Sequence, residues 1–142
     1  MEISLCMIVK NEEMCLARCL NCVKDIVDEI VIVDTGSTDN TKEIAYQFTD
    51  KVYDYEWIDN FSDARNFSFS KATKPYMMWL DADDILLEKD QLELKKLKQN
   101  LLPEVDMVMM KYFTAFDKEG NPTFSYYRER IMAKRMNYQW ER

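Results

Sequence analysis

The chain has 142 residues, 47% of them hydrophobic, which is enough for one domain to close a core and too few for two ordinary ones. Its formal charge of -7 argues against broad nucleic-acid binding, because holding a polyanion requires a basic surface. Histidine is absent, which excludes His-dependent triads and HExxH zinc sites, and no stretch approaches the ~20 consecutive apolar residues that span a bilayer.

The N-terminus places acidic Glu2 before alternating Ile3, Leu5 and Met7, with no basic leader, so a soluble cytoplasmic protein is expected. All four cysteines, Cys6, Cys15, Cys19 and Cys22, fall near the N-terminus and cannot staple distant segments; reduced thiols are the reading. Residues Ile3 to Val9 are apolar and β-prone, as in a strand buried on both faces. From Asn11 to Ile26, residues Cys15, Leu16, Cys19, Leu20, Cys22, Val23 and Ile26 share one arc of a helical wheel, which predicts an amphipathic helix. Glu29 to Asp34 is a second buried strand, followed by the turn Thr35-Gly36-Ser37-Thr38-Asp39 and a helix over 40–48, where Asn40 and Glu43 have capping-box spacing.

A third strand is predicted over Lys51 to Trp57, a helix over Ser62 to Ala72, a fourth buried strand over Tyr76 to Leu80, and a charged helix over Gln91 to Leu101. Val105 to Phe116 and Phe124 to Ala133 flank a turn at 117–121, the pattern of a hairpin. Alternating strands and helices imply an α/β fold with a mainly parallel sheet, helices on both faces and a mixed C-terminal edge. Ligands of such sheets bind beyond the carboxyl ends of the strands, which gathers Val9-Lys10-Asn11, Asp34-Thr35-Gly36 and Asp81-Ala82-Asp83 along one edge.

Asp81-Ala82-Asp83-Asp84 leaves an apolar strand without a tether. Its oxygens suit a hard cation such as Mg²⁺ or Mn²⁺, although an acidic turn capping the next helix has the same composition. Asp34 ends another strand, before a turn whose Gly36 permits close approach of a ligand. Trp57 and Phe61 can stack on a base or sugar, but aromatics flanking a strand are expected in the core. Cys15-x3-Cys19-x2-Cys22 has the spacing of the radical S-adenosylmethionine cluster motif. Its cysteines nonetheless lie on the apolar arc of a continuous helix, where buried thiols behave as small hydrophobes, and that reading is rejected.

Taken together, Met7 to Glu13 (MIVKNEE), Asp28 to Thr41 (DEIVIVDTGSTDNT), Asn60 to Asn66 (NFSDARN) and Trp79 to Asp84 (WLDADD) resemble the N-terminal part of a family 2 glycosyltransferase with a GT-A fold. The wording resembles the branch with lipooligosaccharide glucosyltransferases and peptide S-glycosyltransferases. The resemblance implies that Val9, Lys10, Asn11 and Glu12 border a uridine pocket, that Asp34 contacts the nucleoside and that Arg65 lies near the nucleotide or its phosphates, although an arginine on a helix beside Asp63 is also the pattern of a solvated surface residue. Asp81, Ala82 and Asp83 would complete a donor site in which Asp83 and Asp81 hold Mg²⁺ or Mn²⁺.

A UDP-sugar donor, inverting transfer and a saccharide, lipid-linked or peptide acceptor are implied, with no nucleic acid and no transmembrane segment. Arg128 and Arg130 resemble the family's Arg-Glu-Arg stretch, for which a charged hairpin strand is an equal explanation. A Val-His-Glu segment often follows that stretch in the family. Because this chain stops at Tyr138 to Arg142, residues 1–142 are expected to form a single donor-binding domain cut before its acceptor segment. The competing reading is a non-catalytic or incomplete nucleotide-sugar-binding module. A nucleotidyltransferase is disfavoured, since no Gly-rich basic loop follows the first strand.

Overall fold

A computed structural model describes residues 1–101 and 104–140. Its elements alternate along the chain: β1 (Ile3–Val9), α1 (Leu16–Val23), β2 (Glu29–Asp34), α2 (Thr41–Tyr46), β3 (Val52–Asp54), α3 (Phe61–Ser70), β4 (Tyr76–Trp79), α4 (Glu88–Asn100), β5 (Met107–Phe116) and β6 (Pro122–Ala133). A short 3₁₀ turn at Lys134–Met136 follows β6. The strands form one six-stranded sheet in the order β3-β2-β1-β4-β6-β5, in which the first four are mutually parallel and β6 runs antiparallel to both β4 and β5. The expected fold class, a mainly parallel sheet with a mixed hairpin edge, is therefore the observed one.

Apolar runs cover both faces of the central strands, as doubly covered parallel strands require. Ile3, Leu5, Met7 and Val9 of β1 pack with Leu16, Cys19, Leu20 and Val23 of α1, Ala45 of α2 and Leu94 of α4. On the other face Cys6, Val31, Val33, Met77 and Trp79 meet Phe69 of α3. Each fully buried Leu or Val contributes roughly 1.5–3 kcal/mol. The cysteine arc follows the same logic, with Cys19 buried, Cys15 and Cys22 half-buried and all four thiols free.

Three local expectations change. Helix α1 begins at Leu16 rather than near Asn11, because residues 11–13 bond to the loop after β2 instead of to a helix. Asn11, at φ 52°, donates its amide to Ser37 Oγ (2.9 Å) and accepts the Thr38 amide at Oδ1 (2.8 Å). The Glu12 amide reaches Thr41 Oγ1 (2.8 Å), and the Asn40 amide reaches Glu13 Oε2 (3.0 Å). Nor does Asn40 form a capping box: its side chain makes no cap bond, and Asp39 Oδ1 accepts the Thr41 amide at 3.0 Å. Strand β3 is also shorter than predicted, so Trp57 lies beyond it.

At the opposite end of the sheet, the buried Glu29 carboxylate accepts from Ser4 Oγ (2.6 Å), the Thr73 amide (2.8 Å) and Thr73 Oγ1 (2.7 Å), and it pairs with Lys51. Burial alone pushes this carboxyl up, but Lys51, Ser4 and Thr73 outweigh it and bring the pKa down to about 2. Such a depressed group stabilises the fold fully above the ordinary glutamate range and loses that contribution as pH falls toward about 2. Glu29→Gln should accordingly cost roughly 2–4 kcal/mol at neutral pH and flatten the acid limb of the stability profile, read by urea unfolding between neutral and acidic pH. In the loop pair, Asn11→Ala should lower stability by about 1–3 kcal/mol, having lost the Thr38 bond and the ease of positive φ, whereas Asn11→Gly should recover the backbone share.

Candidate donor site

Strand β1 connects leftward to β2, and β4 returns on its right, so the order reverses between β1 and β4. Open α/β sheets bind ligands in the crevice at such a reversal, beyond the carboxyl ends of the strands. A cleft of about 560 Å³ opens there. Its lining includes Ile8 and Val9 at the end of β1, Lys10 and Glu12 after it, Thr35 after β2, and Trp79, Asp81, Ala82 and Asp83 at and beyond the end of β4. The far side is made by Trp57, Phe61, Arg65 and Arg128.

The structure thus brings together Val9, Lys10, Glu12, Arg65, Asp81, Ala82 and Asp83 of the residues singled out in the sequence. Asn11 and Asp34 lie outside this lining. Asn11 is engaged in the loop pair described above, and Asp34, buried, accepts the amides of Gly36 (3.2 Å) and Ser37 (3.0 Å) through Oδ2. Asp34 thereby holds the turn in which Gly36 takes φ 115°, a conformation that favours glycine.

Trp57 and Phe61 were expected in the core, and the structure corrects this. Phe61 is 64% exposed, and the two rings meet edge to face at 5.1 Å beside the cleft. Phe61 opens α3 directly after its cap Asn60, whose Oδ1 accepts the Asp63 amide at 3.2 Å. From that cap, Phe61 and Arg65 are one turn apart on one face. Arg128 enters from β6, opposite Met110 of β5. The Arg-Glu-Arg spacing in the sequence was the available signal for it.

Both signs of charge line the cleft. Lys10, Glu12, Asp81 and Asp83 face it from the loops after β1 and β4, while Arg65 and Arg128 face it from α3 and β6. The Arg65 guanidinium lies 4.1 Å from the Trp79 ring centroid and 4.7 Å from that of Trp140, with Nη2 3.8 Å from Asp81 Oδ1. Arg128 approaches the same indole at 5.0 Å, and Arg130 at 3.9 Å. Trp79 donates Nε1–H to the Glu129 carbonyl at 2.6 Å, which fixes the ring among these cations. Burial pulls the Arg65 pKa below its ordinary value, against the opposing pull of Asp81.

The acidic residues suit a divalent cation. Carboxylate oxygens of Asp81, Asp83 and Asp84 lie within 4.8 Å of one another, the one such cluster of three among the described residues. Burial, then the charge of Asp84, pushes the Asp81 carboxyl above its ordinary value despite Arg65 and Arg130. Glu12 is raised by burial, then by Asp83, Asp81 and Asp39. The exposed carboxylates of Asp81 and Asp83 offer oxygen ligands of the kind that suit a hard cation.

Relatives of known name align with this chain. A TPR repeat-containing protein of Synechococcus elongatus is 45% identical over 94 residues, 66% of this chain and 23% of the relative. The SPbeta prophage-derived glycosyltransferase SunS of Bacillus subtilis is 34% identical over 112 residues, 77% of this chain and 26% of SunS. The chain thus spans about a quarter of the length of either. Among solved structures, glucosyl-3-phosphoglycerate synthase from Mycobacterium tuberculosis in complex with Mn²⁺ and UDP-glucose superposes with a TM-score of 0.58 at 21% identity, over 75% of this chain and 42% of that one. S. aureus TarS in complex with UDP gives a TM-score of 0.55 at 21% identity, over 70% of this chain and 32% of that one. These two likenesses establish the GT-A type of fold. The family model described as glycosyl transferase family 2 matches residues 4–141, and the chain belongs to that family.

Proposed function

We propose that this domain binds a UDP-sugar together with Mg²⁺ or Mn²⁺ and serves an inverting glycosyl transfer to a saccharide, lipid-linked or peptide acceptor. The observation that carries the reading is the meeting of carboxylates and guanidinium groups in the cleft at the strand reversal. Asp81 and Asp83 present oxygens for a cation, and Arg65 and Arg128, lining the same cleft, present guanidinium groups for phosphate. Solved relatives of the same fold are described with UDP and with Mn²⁺ and UDP-glucose, which supports the choice of donor.

In this reading Asp83 and Asp81 hold the cation. Val9, Lys10, Asn11, Glu12 and Asp34 form the nucleoside end, and Ala82 lets the chain pass close to the donor. Arg65 orients the diphosphate. When bound, the cation supplies charge stabilisation to the diphosphate as it leaves the sugar. The acceptor's nucleophilic atom yields its proton to a base and forms its bond to the anomeric carbon from the face opposite the breaking bond to the diphosphate oxygen, which inverts configuration. No helix among the described residues is long and apolar enough to cross a membrane. The four free thiols fit a reducing, cytoplasmic setting.

Titration calorimetry with UDP in the presence and absence of Mn²⁺ tests the donor site. Mn²⁺ should strengthen UDP binding by about tenfold or more, and Asp83→Ala should abolish that gain, a loss of about 1.4 kcal/mol or more. Equal affinity with and without the ion would overturn the role given to the acidic pair.

A further inference from the structure

Asp84 differs from the other two members of the acidic cluster. Its side chain is 9% exposed against 51% for Asp81, and its partner Arg130 is 5% exposed. Asp84 Oδ2 accepts from Arg130 Nη1 at 3.0 Å and from the Asp81 amide at 2.8 Å. The same Nη1 donates to the Trp79 carbonyl at 3.3 Å, and the guanidinium lies 3.9 Å from the Trp79 ring centroid and 5.2 Å from that of Tyr112. Arg130 therefore ties β6 to the end of β4 and to the turn that carries the acidic pair.

We propose that Arg130 is a positioning residue that withholds Asp84 from the cation, leaving Asp81 and Asp83 as the carboxylate ligands of the tetrapeptide, so that the ion binds tightly only together with the donor's diphosphate. This rests on the donor-binding reading above. Asp84 is near enough to join the other two, since the three share oxygens within 4.8 Å. Turning it toward an ion, however, would strip a buried guanidinium of its counter-ion, the costly way to break a buried pair. Three free carboxylates would hold a divalent ion on their own and repel the diphosphate. Two leave both charge and coordination positions for phosphate oxygens. Through its bond to the Asp81 amide, the held Asp84 also fixes the backbone from which Asp81 and Asp83 project.

The test uses the 142-residue chain, with Mn²⁺ alone followed by electron paramagnetic resonance of the free ion, and UDP followed by calorimetry at saturating Mn²⁺. Arg130→Met should raise nucleotide-free Mn²⁺ affinity about tenfold and lower UDP affinity by a similar factor. Adding Asp84→Asn to that variant should cancel the Mn²⁺ gain, and Arg130→Lys should restore the wild-type preference. A purely structural role would move both affinities in the same direction. Asp84→Asn alone, which keeps an oxygen acceptor for both donors, should leave nucleotide-free Mn²⁺ affinity within about threefold of wild type, and it decides the matter if Arg130→Met does not fold.

The proposal is overturned if Asp84→Asn weakens Mn²⁺ binding as much as Asp83→Ala does, or if a folded Arg130→Met shows no gain. In either case the donor site itself stands, provided that UDP binding is Mn²⁺-dependent and is lost in Asp83→Ala. Mn²⁺-independent UDP binding in the wild type sinks both readings.

Discussion

The indole of Trp79 is the point on which the site depends. It ends the central strand β4, lies 3% exposed between the sheet and α3, and draws guanidinium groups from α3 and from β6 to one ring. A cation against an aromatic face is worth about 0.5–2 kcal/mol, more when water is excluded, so one side chain can order several long ones. In an acidic protein this assembles positive charge at the place where the backbone next emits three aspartates. Without the indole, Arg65 and Arg128 would be flexible side chains with a rotamer entropy of about 2 kcal/mol each to lose on binding an anion.

The sheet then decides which chemistry faces which. Parallel strands β1, β2 and β4 all deliver their carboxyl ends to one edge, and the reversal of order between β1 and β4 leaves a crevice there. The hairpin β5–β6 closes the crevice on the right, with β6 antiparallel to β4. Antiparallel pairing matters for the electrostatics: it brings Arg128 and Arg130, from a strand running the other way, alongside residues 79–84.

Much of this was legible in the sequence. Buried strands announce themselves as uninterrupted apolar runs, so β1, β2 and β4 and the carboxylates that follow them could be placed without coordinates. The hairpin was legible from its turn, where Gly120 takes φ 84°. What escaped were properties set by distant partners. Residues 11–13 fit a helical pattern, yet their backbone groups are taken by the loop after β2, a choice no local window encodes. Trp57 and Phe61 read as core because hydrophobicity alone cannot tell a core ring from one beside a cleft. Arg130 read equally as a surface charge, since its burial depends on an aspartate 46 residues earlier.

The paired loops after β1 and β2 have one more implication. Hydrogen bonds of both loops are made largely with each other: Asn11 with Ser37 and Thr38, Glu12 with Thr41, and Glu13 with Asn40. Neither can lift away alone without giving up these bonds to its partner. That edge of the cleft is therefore a preorganised wall, already shaped before any ligand arrives. Affinity at this wall is spared the entropy of ordering a loop, which commonly takes ~0.5–1.5 kcal/mol for each side chain immobilised.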